Sequence, residues 1–344
     1  MSGERVTVLM SVYNGEAFLR NAIDSILNQT FTDFEFVIYD DCSTDRTSEI
    51  ILSYSDSRIV YRRNDTNQGL TRNLADGVNR SGACYIARMD ADDISFPQRL
   101  AKQVRFMDEH PDVTILGSSV SFFKEKKEDG SIAYQPVDDE TIKATLFISF
   151  TLLHPSIILR RSDLVRYQLN YNPEYRYSQD HELYLSCILK GLKFANLSEP
   201  LLYMRSHSDS ISRAKHRVQQ QFSQQARLAF LNITGIAEDC TEEEITAYNT
   251  FASDLFPETI EKLHAYERYA HKVYRNPKTA LFFDKDLLRK IMANKLCDAA
   301  YMAIDNSKLR KVAVVARKTN LKQFSSKWPT SKRLKYLIKS IIPR

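Results

Sequence analysis

Residues 85–93 read YIARMDADD, an apolar run from Tyr85 to Met89 that ends directly on Asp90-Ala91-Asp92-Asp93. A short apolar run with polar bounds predicts a buried strand. Working back toward the N-terminus, Leu70 to Val78 has helical spacing and Ile59 to Arg62 predicts a strand. Phe34 to Tyr39 (FEFVIY) predicts another strand, ending on Asp40-Asp41. Ser43 and Thr44 read as capping residues for a helix over 45–54. Glu16 to Gln29 places Phe18, Leu19, Ala22, Ile23, Ile26 and Leu27 on one helical face, and Val6 to Val12 (VTVLMSV) predicts the first strand. Working forward, Pro97 suits the first position of a helix carrying Leu100, Val104 and Met107. Val113 to Phe123 predicts a further strand.

Strands alternating with helices predict an α/β fold, a mainly parallel sheet flanked by helices. Ligands in such sheets bind beyond the C-terminal strand ends. The polar clusters Tyr13-Asn14, Asp40-Asp41 and Asp90 to Asp93 fall at those ends. From about Lys215 the pattern turns helical, with segments near 218–230, 258–269 and 286–304. A boundary near residue 213 would separate a domain over 1–213 from a helical C-terminal region over 214–344.

Composition narrows the class. With 43% hydrophobic and 26% charged residues the chain is neither disordered nor membrane-spanning, and no run approaches the roughly 18 apolar residues of a spanning helix. Met1 to Met10 has no basic segment followed by an apolar one, so no secretory leader is expected. The five cysteines form no CxxC pair, which argues for a reducing, cytoplasmic compartment. Of the net charge of +5, much lies near the end: between Asp305 and Arg344 there are twelve Lys or Arg and no acid but Asp305. Residues 331–343 (SKRLKYLIKSIIP) can form a basic amphipathic helix suited to peripheral contact with an anionic membrane. Packing on its own domain, or on a second subunit of a homo-oligomer, is the competing use. Nucleic acid is not an expected partner, because that segment has only Tyr336 and Trp328 for stacking and no binding motif.

The nine glycines include no GxGxxG, no GxxxxGK[ST] and no GxSxG, which removes the common dinucleotide, P-loop and serine-hydrolase readings. The acidic cluster is the stronger signal. Carboxylates crowded at one strand end repel unless a cation or basic groups offset them. Mg²⁺ or Mn²⁺ takes such oxygen ligands, usually together with substrate phosphates. A solvated turn before a capped helix is the bland alternative.

Three motifs in order, Ser11-Val12-Tyr13-Asn14-Gly15, Tyr39-Asp40-Asp41-Cys42-Ser43-Thr44-Asp45 and Met89-Asp90-Ala91-Asp92-Asp93, resemble the family 2 glycosyltransferases of GT-A fold. Asn67 to Asn73 (NQGLTRN), His154-Pro155-Ser156, Ser178-Gln179-Asp180 and Met204-Arg205-Ser206-His207 add to the resemblance, which covers about residues 4 to 213. It implies a metal-dependent, inverting transfer of a sugar from a nucleotide-sugar donor, UDP-linked by family habit, to a glycan or lipid-linked acceptor of a surface polysaccharide. Ser11 and Tyr13 would line the nucleotide pocket, Asp40 and Asp41 would bind the base, and Arg72 would sit by the donor phosphates or ribose. Asp92 and Asp93, with His207, would hold Mn²⁺ or Mg²⁺, and Asp90 would contact the ribose. Asp180 would be the general base; capping of the helix that follows is its structural alternative. His154 would shape the acceptor site or simply pack in the core. The processive members' QxxRW element is missing, the single tryptophan being Trp328. Two other readings are a sugar nucleotidyltransferase, which lacks its glycine-rich phosphate loop here, and a non-catalytic glycan-binding subunit.

Overall fold

The computed structural model describes residues 4–124, 130–206, 215–253 and 259–305. Two compact units emerge, one of residues 1–142 with 150–226, the other of 143–149 with residues from 227 onward.

The first unit is built on a nine-stranded sheet of order β3-β2-β1-β4-β8-β6-β9-β5, with β7 on the side of β6. The strands are β1 (Val6–Val12), β2 (Phe34–Asp40), β3 (Ile59–Arg63), β4 (Tyr85–Met89), β5 (Ile94–Ser95), β6 (Val113–Phe123), β7 (Ser131–Ala133), β8 (Ile158–Arg160) and β9 (Lys193–Arg205). β1 to β4 are mutually parallel. β8 enters antiparallel between β4 and β6, which itself runs parallel to β9. The helices are α1 (Leu19–Leu27), α2 (Thr47–Leu52), α3 (Leu70–Arg80), α4 (Arg99–Glu109), α6 (Arg161–Tyr167) and α7 (Gln179–Leu189), while α5 (Asp139–Leu146) contributes residues to both units. The α/β fold expected from the alternating pattern is the one observed.

Packing explains the elements. Val6, Val8, Met10 and Val12 of β1 are buried with Phe34, Phe36 and Ile38 of β2 and Ala87 and Met89 of β4, beneath Leu19, Ala22, Ile23 and Ile26 of α1. α3 approaches β1 so closely that a Cβ on Gly77 would come within 2.4 Å of Leu9 Cδ1, so any side chain there would have to displace the buried Leu9.

Two local expectations change. Ser43 and Thr44 do not cap a helix. α2 starts at Thr47, whose N–H donates to Asp45 Oδ1 at 3.0 Å. Ser43 Oγ instead accepts from Asn14 N at 3.0 Å, and Thr44 N donates to Asn14 Oδ1 at 2.8 Å, which ties the loop after β2 to the loop after β1. Pro97 lies before α4, which begins at Arg99, and its carbonyl accepts from Thr30 N at 2.8 Å.

The second unit is helical, with α9 (Glu242–Ala252), α10 (Ile260–Arg275) and α11 (Lys285–Asp305); α8 (His216–Thr234) contributes residues to both units. Its core is aromatic. Tyr248 stacks on Tyr269 at 4.6 Å and Phe251 on Tyr266 at 4.1 Å, while Phe147 packs against Phe230 and Phe283. Thr241 and Glu244 form a reciprocal capping box at the start of α9. The basic amphipathic segment 331–343 lies outside the described residues. Among those described, no helix is long and apolar enough to cross a membrane.

Candidate active site

Parallel register brings three strand ends together. Val12 pairs with Asp40 and Met10 with Met89, so the residues following β1, β2 and β4 share one edge. Asp41 N donates to Val12 O at 2.8 Å, which closes the first two loops on each other. Ser11 Oγ accepts from Asn73 Nδ2 of α3 at 2.9 Å, and Tyr13 projects from this edge 53% exposed.

Asp40 and Asp41 are buried and well served by neutral donors. Asp40 accepts from Ser43 N (2.8 Å), Tyr61 OH (3.0 Å) and Ser48 Oγ. Burial alone would push its pKa up, but these bonds outweigh it and hold the carboxyl below its ordinary value. Asp41 Oδ1 accepts from Asn64 Nδ2 (2.8 Å) and Gln68 N (2.9 Å), and Oδ2 from Gly69 N (2.8 Å). Asp41 therefore shapes the turn into α3, where Gly69 has φ +87°.

Asp90, Asp92 and Asp93 converge differently. One carboxylate oxygen from each lies within 4.8 Å of the others. Asp93 is 2% exposed and accepts from Arg205 N at 2.9 Å. Burial, then the neighbouring charges of Asp92 and Asp90, pushes its carboxyl well up. Asp90 is also raised, by burial first, although Arg88 donates to it. Two buried guanidiniums stand behind the cluster. Arg88, on β4, bonds Asp90 and the carbonyl of Met89. Arg99 of α4 donates to Arg88 O at 2.7 Å and to Gln103 Oε1 at 3.0 Å, and burial lowers its pKa to about 9. A third, Arg205, lies between the rings of Phe18 (4.3 Å) and Phe123 (4.5 Å) and donates to Asp92 O at 3.0 Å.

Asp180 is the second residue of α7. The residue before the helix is Ser178, at φ +54° with no side-chain cap bond, so Asp180 lies one position inside the first turn rather than at the N-cap. Burial pushes its carboxyl up to about 6; the backbone N–H groups of His181 and Asp180 pull it down, and the charges of Asp90 and Arg88 act on it in opposite senses. It therefore lies within electrostatic reach of the acidic cluster. α8 steadies this helix: Ser178 Oγ donates to Gln219 O at 2.9 Å, and His181 Nδ1 bonds Ser223 Oγ at 2.6 Å. His154 is buried, its Nε2 2.9 Å from Tyr171 OH, and burial holds its pKa well below the ordinary value, so it is neutral. Arg72 opens onto a cleft of about 530 Å³ shared with Asn67, Gln68 and Arg176. His207 lies outside the described residues.

The comparisons with known proteins bear on this arrangement. The sequence model described as Glycosyl transferase family 2 matches residues 7–167. EpsE of Bacillus subtilis (strain 168), named as a glycosyltransferase, is 34% identical over 217 residues, covering 62% of this chain and 77% of EpsE. This chain belongs to glycosyltransferase family 2. WbnJ of Escherichia coli, an O-antigen biosynthesis glycosyltransferase, is 29% identical over 61% of this chain and 83% of its own length. Against the bifunctional glycosyltransferase pgtA of Dictyostelium discoideum, 31% identical, the chain spans only about a third (34%) of the relative. Among solved structures, Staphylococcus aureus TarS 1-349 in complex with UDP-GlcNAc superposes with a TM-score of 0.59 at 17% identity, covering 84% of this chain and 90% of that one. At that identity the likeness speaks for the fold.

In this glycosyltransferase, sequence motifs locate the carboxylates but not their supports. The motifs assign no role to Arg88, Arg99 or Arg205. Signals for two of them exist: Arg88 interrupts an apolar strand, and Arg99 with Gln103 occupies the buried stripe of α4 beside Leu100, Val104 and Met107. The clustered oxygens of Asp90, Asp92 and Asp93 fit a hard divalent cation, which would relieve the repulsion that raises Asp90 and Asp93.

Proposed function

We propose that the protein is an inverting glycosyltransferase that moves a sugar from a UDP-sugar to a glycan or lipid-linked acceptor in polysaccharide assembly. Residues 1–213 carry the catalysis in this reading. The observation that carries this reading is Asp180, a part-buried carboxyl raised to about 6 beside the acidic cluster. A general base works best with a pKa near the working pH. In this reading Asp180 takes the proton from the attacking acceptor hydroxyl. Ser11, Tyr13, Asp40 and Asp41 frame the nucleotide base, Asp90 holds the ribose, and Arg72 meets the phosphates. Asp92 and Asp93, with His207, would hold Mn²⁺ or Mg²⁺, and such a cation supplies Lewis-acid stabilisation of the leaving diphosphate. TarS binding UDP-GlcNAc supports a UDP donor, and the O-antigen role of WbnJ supports a polysaccharide setting. The basic tail would seat the enzyme on the cytoplasmic face of an anionic membrane. A second copy of the chain is the other partner it suits.

The test is nucleotide release from UDP-, GDP- and dTDP-sugars with Mn²⁺, Mg²⁺ or chelator, repeated with Asp180→Asn. Metal-dependent turnover of a UDP-sugar that Asp180→Asn abolishes, with donor binding kept, is the expected result. Near-normal transfer by Asp180→Asn would remove the base assignment. Donor binding with no turnover in any form would mark a non-catalytic subunit.

A further inference from the structure

Asp180 and Tyr184 are one turn apart on α7, so they share a face of that helix. Tyr184 is fully buried, and its hydroxyl has no hydrogen-bond partner. An unpaired buried hydroxyl costs stability, and a working partner is the usual reason such a group is kept. Phe194 meets the Tyr184 ring edge-on with centroids 6.4 Å apart, which holds the ring at this depth.

A second tyrosine comes to the same place. Tyr171 is 2% exposed. Its backbone N–H donates to Asn170 Oδ1 at 2.7 Å, and Asn170 Nδ2 donates to Ala75 O (3.0 Å) and Asn79 Oδ1 (2.9 Å) of α3. Its hydroxyl lies 2.9 Å from Nε2 of His154, in the short turn His154–Ser156. Neutral His154 carries one N–H. Placed on Nε2, that N–H donates to the Tyr171 oxygen and leaves the phenolic hydrogen for a further acceptor.

The charge of Asp180 acts on both hydroxyls, and Tyr171 acts on Tyr184. Burial is the first cause that pushes both phenols up, so both stay protonated at neutral pH and can donate. The other ionisable groups that act on Asp180 or on these phenols are Arg88 of β4, Asp90 of the turn after it, and Cys187 of α7. Arg88 is engaged by Asp90 and the Met89 carbonyl. Among the described residues, neither phenol is bonded to a carboxylate.

We propose that Tyr171 and Tyr184 are positioning residues for the transfer, whose hydroxyls hold the Asp180 carboxylate while it acts as base. A phenol donating to an anion makes a stronger bond than one donating to a neutral group. His154 in turn fixes Tyr171. The word base rests on the transferase reading; the pairing of the two phenols with the carboxylate does not.

Thermal unfolding of the full chain from pH 4 to 8, without metal, tests this in the unaltered form, in Tyr171→Phe and in Tyr184→Phe, each also with Asp180→Asn. The difference between a chain and its Asp180→Asn form reports the ionisation of Asp180. Its midpoint, at about 6 in the unaltered chain, should rise by about one pH unit in each Phe variant, because the anion loses a donor. Nucleotide release from a UDP-sugar should fall by roughly tenfold in kcat below that midpoint and recover as pH rises, with donor KM unchanged. Tyr54→Phe, which removes a hydroxyl bonded to Asp24 at 2.7 Å, should leave the midpoint in place. A merely structural tyrosine would change Tm equally at every pH and equally with Asp180→Asn. Such a result, or an unmoved midpoint in either variant, would overturn the role of that hydroxyl. Should Asp180→Asn keep full nucleotide release while the midpoints move, the base reading falls and the pairing stands.

Discussion

Asp40 and Asp41, at the end of β2, and Asp90, Asp92 and Asp93, beyond β4, occupy the same edge of the same sheet. The first pair is surrounded by neutral donors: backbone N–H groups of Ser43, Gln68 and Gly69, the hydroxyls of Ser48 and Tyr61, and the amide of Asn64. Asp40 is accordingly held below its ordinary pKa. The second group is crowded by its own kind, and Asp90 and Asp93 are raised despite Arg88 and Arg99 behind them. Similar chemistry therefore serves opposite ends. The first pair is finished by folding and fixes two loops; the second keeps unrelieved repulsion that a cation or a bound ligand can remove. Asp180 stands with the second group, since Asp90 acts on it.

That contrast can be broken most forcefully at Asp180. Asp180→Asn should lower the transfer rate by roughly 10²- to 10⁴-fold, measured as product formed per enzyme, with donor affinity retained. In the unaltered protein kcat/KM should rise with pH through about 6, because the ionised form is the working base and is lost as pH falls through that value. The folded pKa lies above the ordinary 3.8, so ionisation costs folded stability at pH values above about 4. Asp180→Asn should therefore also raise Tm at neutral pH. A flat pH profile between 5 and 7 would detach Asp180 from the chemistry.

The next effect in size separates the two acidic groups directly. Adding Mn²⁺ at a hundredfold excess over its Kd should stabilise the protein by about 2.7 kcal/mol in thermal unfolding. Asp92→Asn should abolish that gain. Without metal, Asp93→Asn should stabilise the fold, because it removes a charge that burial and its neighbours disfavour. Asp40→Asn should do the reverse and destabilise by about 1–3 kcal/mol, since its amide nitrogen would face donors where an oxygen now accepts. Equal signs for Asp93→Asn and Asp40→Asn would erase the distinction drawn between the two groups.

The smallest expected effect sharpens it. Arg205→Lys keeps the charge but loses the planar group between Phe18 and Phe123 and the bond to Asp92 O. A loss of about 1 kcal/mol is expected from such a stacked cation. It should appear as a few-fold rise in the Mn²⁺ midpoint, because the loop of Asp92 and Asp93 is less well held.

Much of the sheet is legible in the amino-acid pattern. β1 over Val6–Val12, β4 over Tyr85–Met89 and β6 over Val113–Phe123 coincide with the expected strands, and the polar clusters do lie at parallel strand ends. β5 is not legible there, because a two-residue strand carries no period, nor is the antiparallel entry of β8 between β4 and β6. Ser43 and Thr44 mislead for a different reason. Their side-chain and backbone groups suit a helix cap, but a bond across to Asn14 competes for them and wins. Arg88, Arg99 and Arg205 stay hidden because long cationic side chains are assigned to the surface unless their neighbours are known.

By itself the sequence determined the order of buried strands and amphipathic helices, and with it which polar residues would gather at one edge. Those properties are local: apolar period and strand ends are written within a few residues of each other. The tertiary structure alone decided the electrostatics. Whether a carboxylate is satisfied, as at Asp40, or raised, as at Asp93 and Asp180, depends on burial and on charges brought from positions far away in the chain. Arg205 reaches back across more than a hundred residues to hold the turn of Asp92 and Asp93, and no local pattern encodes that contact.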